Sequence, residues 1–235
     1  MKILKYLLLP IIVISFAGCL YKPLNINENN KNTRVGIVSI VDGKMDLEFI
    51  GTTMFQNKFN TQNIENWDIP NFLIQSTKKE LIEKSELTII DINYDINQLK
   101  KKAYTNDKLG YFSGYYPNED LKKDLKILIN NNKLDYLIVI FPSISNGIEL
   151  YKRDFLGNGF SIFKFYYSLK LIDKKDLDVK TQYFIEHKEN ISNSYWKEDQ
   201  EEFNKEILGV LESTTKNNIK KKIHIPLEKM GLIIK

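Results

Sequence analysis

The run Tyr136–Phe141 (YLIVIF), followed at once by Pro142, constrains the fold more than any other part of this 235-residue chain. Three consecutive β-branched residues, Ile138, Val139 and Ile140, sit inside it, and no position offers a polar face. The run is too short for a buried helix and reads as a strand covered on both sides. Such strands belong to the middle of a parallel or mixed sheet with helices packed against each face. An α/β fold follows if the rest of the chain supplies partner strands and helices.

The rest of the chain supplies both. Arg34–Val41 (RVGIVSIV) reads as a strand, Asp42-Gly43 as the turn after it, and Leu47–Thr53 as the returning strand, followed by Phe55–Phe59. Asp68 before Ile69-Pro70 predicts an N-cap with proline in the first turn. In the helix that follows, to Lys84, Phe72, Leu73, Leu81 and Ile82 are the expected inward residues. A strand over Leu87–Ile92, a short helix over Asp95–Tyr104 and an aromatic loop over 105–117 come next. Asn118 is placed to cap a helix over Glu119–Asn130, with Leu121, Leu125, Leu128 and Ile129 inward. Beyond the central strand, three β segments at about 148–156, 160–172 and 177–187 read as an antiparallel meander, the last two joined at Asp173–Asp176. A long amphipathic helix is expected from Lys197 to Ile223, with Phe203, Ile207, Leu211 and Ile219 inward. The expected fold class is α/β (α+β): a single domain over 34–235 with a mixed sheet, helices packed on it, a C-terminal antiparallel meander and a long final helix.

Composition narrows the function classes. The chain is 43% hydrophobic and 27% charged, which excludes wholesale disorder and a multi-span membrane protein. Its formal net charge of +4 rests almost wholly on lysine, since Arg34 and Arg153 are the only arginines. Readers of base edges and phosphates favour the bidentate fork of arginine, so no nucleic-acid partner is expected.

The N-terminus carries the clearest signal. Lys2 and Lys5 precede an apolar run from Leu7 to Phe16 that is interrupted by Pro10. Ten residues at about 1.5 Å each cannot cross a hydrocarbon core of about 30 Å, so the segment reads as a cleavable signal. It ends in Phe16-Ala17-Gly18-Cys19, and Cys19 is the single cysteine of the chain.

These four residues resemble the lipobox of bacterial lipoprotein signal peptides, with Phe16 where that family usually has leucine. The resemblance implies that residues 1–18 are a signal peptide, that Phe16, Ala17 and Gly18 fit the signal peptidase, and that Cys19 is lipidated and becomes the mature N-terminus. It further implies a membrane anchored by lipid on Cys19, outside the cytoplasm. In a diderm host Leu20 favours the outer membrane, facing the periplasm. Residues 19–33 then read as the lipidated cysteine and a flexible, asparagine-rich tether. The order of elements is also broadly similar to the small α/β domain of envelope-assembly lipoproteins such as the penicillin-binding-protein activators and the curli-secretion lipoprotein.

Catalytic motifs are missing from the sequence. The two histidines, His187 and His224, stand far apart with no metal-ligand spacing, and no cofactor or metal is expected. Ser113 and Ser161 lack the nucleophile-elbow pattern. Gly157-Asn158-Gly159 falls between strands, so it cannot aim helix amides at a phosphate. Two segments suit binding instead. Tyr111, Phe112, Tyr115 and Tyr116 form a candidate binding surface or roof the core under their loop. In Phe160–Tyr167 one face carries Phe160, Ile162, Lys164 and Tyr166, and the other Ser161, Phe163, Phe165 and Tyr167. Core on both faces is the expected arrangement, and one face awaiting a partner is the alternative. Lys100–Lys102 and Lys220–Lys222 read as solvated helix ends able to touch anionic headgroups. The expected function is a non-enzymatic binding or assembly module of the cell envelope, with another envelope protein or a cell-wall component as partner. The alternatives are an envelope hydrolase using carboxylates, or a purely structural surface lipoprotein.

Overall fold

The computed structural model describes Ile26 and residues 32–103, 119–144, 146–154, 159–175, 177, 179–198 and 202–234. Its strands are β1 (Arg34–Ser39), β2 (Lys44–Ile50), β3 (Lys58–Asn63), β4 (Thr88–Ile90), β5 (Tyr136–Pro142), β6 (Ile148–Arg153), β7 (Phe160–Asp173) and β8 (Val179–Ile191). The helices are α1 (Ile69–Lys84), α2 (Ile96–Ala103), α3 (Glu119–Asn131), α4 (Leu208–Lys222) and α5 (His224–Lys229). All the strands join one mixed sheet. The α/β class, the mixed sheet and the antiparallel β6-β7-β8 meander therefore stand as read from the sequence.

The sheet is built around two breaks. β6 pairs antiparallel with the first half of β7, and β5 pairs antiparallel with its second half, so β5 and β6 lie end to end along one edge of β7. β1 runs parallel to β5 and β2 parallel to β6, so β1 and β2 also lie end to end. Beyond them, β4 pairs parallel with β1 and β3 antiparallel with β2. β8 follows β7 along nearly its whole length on the other edge.

This arrangement corrects the expected return at Asp42-Gly43: β2 does not fold back on β1. A two-residue hairpin turn of type I′ needs positive φ at both residues, and neither Asp42 nor Gly43 has it. The chain carries straight on instead, with the Ile40 amide donating to the Ile140 carbonyl (2.9 Å) and the Ile64 amide to the Gly43 carbonyl (2.8 Å). Glycine at 43 lets Glu65 come close, since an added Cβ would lie 2.9 Å from the Glu65 Cα.

The helices cover the two faces unequally. One face receives α1, α4 and α5 and buries Val35, Ile37, Leu47, Phe49, Ile138, Leu150, Phe163, Phe165 and Leu171 with Leu73, Leu81, Leu211, Ile219 and Leu227. The other receives α2 and α3, which bury Val38, Ile40, Leu137, Val139 and Phe141 with Leu99, Leu121, Leu125 and Ile129. The central strand β5 is thus covered on both sides, as its composition demands.

The inner stripe of α1 and the limits of the final helix differ from expectation. Leu73, Thr77 and Leu81 form the inner stripe of α1, while Ile82 is exposed, because its position falls outside the four-residue repeat that meets the sheet. The final helix begins at Leu208, not Lys197. Phe203 is buried, but in an antiparallel bridge to Trp196, with the two rings edge-to-face at 5.9 Å. α4 ends at Lys222 and α5 follows, with Pro226 unable to donate an amide to the preceding turn. The tether also gives way earlier than expected: Ile26 is 7% exposed within the main core, and the Thr33 carbonyl accepts from the Thr88 amide (2.9 Å).

Candidate functional site

Among the described residues, helices cover the second sheet face only where β4, β1, β5 and the end of β7 lie. Over β3, β2, β6 and the first half of β7, no described helix packs on that face. Strand alternation decides what it shows. In β2 (KMDLEFI), Met45, Leu47 and Phe49 turn to the core, which leaves Asp46, Glu48 and Ile50 on the open side.

Register aligns these residues in rows. Phe59 of β3 stands opposite Glu48, Glu48 opposite Tyr151 of β6, and Tyr151 opposite Ile162 of β7. The next row is Thr61, Asp46, Glu149, Lys164 and Lys188. Large apolar side chains surround them: Phe59 is 67% exposed, Phe160 44% and Phe184 48%. Phe160 lies 6.0 Å from the Tyr151 ring and Phe184 6.4 Å from the Tyr166 ring, centre to centre.

The carboxylates differ in their partners. Asp46 accepts from the backbone amide and the side-chain amide of Asn146 (3.0 and 2.6 Å). Glu149 pairs with Lys164 (2.7 Å), whose Nζ also lies 5.9 Å from the centre of the Tyr151 ring. Glu48 makes no hydrogen bond or ion pair among the described residues. Partial burial, and then the neighbouring Glu149 and Asp46 charges, push its carboxyl above the ordinary glutamate value, with Lys164 opposing.

On this face the two sides of Phe160–Tyr167 differ. Ser161, Phe163, Phe165 and Tyr167 are buried, while Phe160 is exposed and Ile162, Lys164 and Tyr166 are half-buried. The expectation of core on both sides is corrected, because α2 and α3 stop short of this half of the sheet. Glu48, Phe59 and Tyr151 were not picked out from the sequence. Their signal was the polar–apolar alternation of β2, which marks one side of the strand as unburied.

The aromatic residues Tyr111, Phe112, Tyr115 and Tyr116, together with Ser113 and Phe16, Ala17, Gly18 and Cys19, lie outside the described residues. His187 stands on β8 opposite Phe165, its ring 5.6 Å away and its Nε2 3.2 Å from Glu189. Ser161 is buried, its Oγ 2.5 Å from the Asn193 side-chain oxygen. The lysine runs do more than meet solvent. Lys100 pairs with Asp42 (3.1 Å), Lys102 with Asp124 (2.6 Å), and Lys222 donates to the Glu186 carbonyl (2.6 Å). A hollow of about 430 Å³ opens beside the first break, lined by Asp42, Glu65, Asp68, Tyr94 and Lys100 among others. Among the described residues no group of three His, Cys, Asp or Glu side chains is arranged to hold a metal, and no helix is long and apolar enough to cross a membrane.

No protein-family model and no curated protein matches the chain. Solved structures give partial likenesses. The protein XCC0632 of Xanthomonas campestris, from the family DUF330, is 7% identical, with 85% of each chain covered and a TM-score of 0.40. Lipoprotein GNA1162 from Neisseria meningitidis is 13% identical over 80% of this chain and 99% of its own, with a TM-score of 0.32. The C-terminal domain of LpoB from Salmonella enterica is 8% identical over 68% and 83%, with a TM-score of 0.26. The structural neighbours thus include lipoproteins. Likenesses this partial say nothing of what the present chain binds.

Proposed function

We propose that this chain is a bacterial lipoprotein, anchored through Cys19, whose α/β domain is a non-enzymatic module that docks another envelope protein. The anchor rests on the Phe16-Ala17-Gly18-Cys19 resemblance. Two acyl chains on one cysteine supply the double hydrophobic signal that stable membrane attachment requires. The observation that carries docking is the open half of the sheet, where Phe59, Phe160 and Phe184 are exposed together on one side. Exposed aromatic side chains on one side of a sheet that no described helix covers are unfavourable in water and suit an interaction site.

Each half of the proposal has its own test. Cys19→Ser is expected to leave a larger, unlipidated precursor; unchanged acyl labelling of that variant refutes the anchor. For docking, a photoreactive residue at position 184 in living cells is expected to yield a discrete adduct with one envelope protein. The same probe at position 82, exposed on α1 away from the open face, is expected to yield none. Equal adducts from both positions, or none from 184, overturn the docking surface.

A further inference from the structure

Resting on that docking reading and going beyond it, we infer that the row Phe59–Glu48–Tyr151 seats a lysine or arginine side chain of the partner protein. Residues directly opposite in a sheet have Cβ atoms about 5 Å apart, so the Glu48 carboxylate is bracketed by an aromatic ring on each side. A cation above this row meets a carboxylate with an aromatic side chain on either side, a combination that favours ammonium and guanidinium groups.

The face already contains one such arrangement. Lys164 is held by Glu149 at 2.7 Å with its Nζ beside the Tyr151 ring. One row away, Glu48 stands opposite the same Tyr151 ring and makes no ion pair of its own among the described residues, with the Lys164 charge acting on it from beyond contact. Asp46 is satisfied by Asn146 and Glu149 by Lys164, which leaves Glu48 as the carboxylate of this group able to take a new partner.

Burial makes the cation necessary. A partner that covers Phe59 and Phe160 must also cover Glu48, which lies between their strands. Covering it with neutral apolar surface would bury an unpaired carboxylate beside two others, and that desolvation is costly. An anionic segment seated on Glu48 would bring its charge beside Asp46, Glu48 and Glu149, with Lys164 held by Glu149 and Lys188 two strands away from Glu149. A segment carrying a lysine or arginine meets the rings with its methylene stem and Glu48 with its charge.

The test uses the full lipidated chain in nonionic detergent micelles, with 4-fluorophenylalanine in place of Phe59 as the reporter. Two peptides are titrated, acetyl-Gly-Lys-Gly-amide and acetyl-Gly-Gln-Gly-amide, and the fluorine resonance is followed. The lysine peptide is expected to shift the signal saturably and to bind at least tenfold more tightly than the glutamine peptide. Glu48→Gln, nearly isosteric and checked for an unchanged circular dichroism spectrum, is expected to abolish that preference. Glu186→Gln, on the β8 strand, is expected to keep it. Equal response to the two peptides, or a lysine preference that survives Glu48→Gln, overturns the inference. If position 184 still yields its adduct in that case, the docking surface stands and only its cation site falls.

Discussion

Lys170 stands on β7 opposite Val139, wholly buried, with its Nζ 4.7 Å from the centre of the Phe141 ring. Burial lowers its amine from the ordinary 10.5 to about 8. The folded chain therefore loses this proton more readily than the unfolded chain. Below about pH 8 both states carry it, and the fold bears the whole cost of a desolvated charge. Between about pH 8 and 10.5 the unfolded state binds more protons, so this residue makes stability rise with pH, by up to about 3 kcal/mol. Lys170→Met is expected to remove that rise. Urea unfolding of wild type and variant at pH 7.5, 9 and 10 measures it, and parallel curves for the two proteins would refute the assignment. Nothing in the sequence singled Lys170 out, because a lysine on an alternating strand reads as an outward residue until the helices above it are placed.

At the scale of elements, the two breaks in the sheet matter most. The segment between β5 and β6 turns through Gly147, whose φ of 90° is a conformation that side-chain-bearing residues resist. An added Cβ would also lie 2.5 Å from the Tyr167 ring. The Gly147 carbonyl accepts from the Tyr166 amide at 2.9 Å, which ties the break to β7. Gly147→Ala is therefore expected to destabilise the chain by about 2 kcal/mol or more, through backbone strain and overpacking together. The midpoint of chemical denaturation reads the effect directly, and an unchanged midpoint would show that the turn tolerates a side chain. β1, β5, the meander strands and the spans of α1, α2 and α3 were legible because periodicity is local, whereas the segment expected at Phe55–Phe59 is a short 3-10 turn at Met54–Gln56 followed by β3, and Asn118, expected to cap α3, lies outside the described residues. The start of α4 was not, since helical spacing at Phe203 also suits a ring buried by its bridge to Trp196. The same limit hid the straight passage through Asp42-Gly43, whose sequence fits a hairpin turn equally well.

For the whole molecule, the boundary between tether and domain has an energetic consequence. Ile26 is packed into the main core from within the segment expected to be free. Full burial of an isoleucine contributes about 1.5–3 kcal/mol before the cost of ordering its neighbours. Two unlipidated chains are compared, one from residue 20 and one from residue 34. The shorter is expected to keep the same far-UV circular dichroism but to unfold with a stability lower by about 1–2 kcal/mol. Equal stabilities would return Ile26 to the tether.

What depends on neighbours along the chain could be read from the residues alone. The buried strand Tyr136–Phe141, the helical span of α1 and the meander were readable in this way, because hydrophobic period and turn chemistry act over a few residues; Asp68, expected to cap α1, instead has a φ of 49° and its side chain caps no helix amide. The polar side of β2 is equally local. Which strands lie beside β2, and whether a helix covers that side, follow from packing over the whole chain. Phe59, Glu48 and Tyr151 lie on three strands drawn from distant parts of the chain, and only the pairing of β2 with β3 and β6 brings them into a row. That pairing is set by long-range burial of the opposite face, a balance over the whole core that no local pattern records.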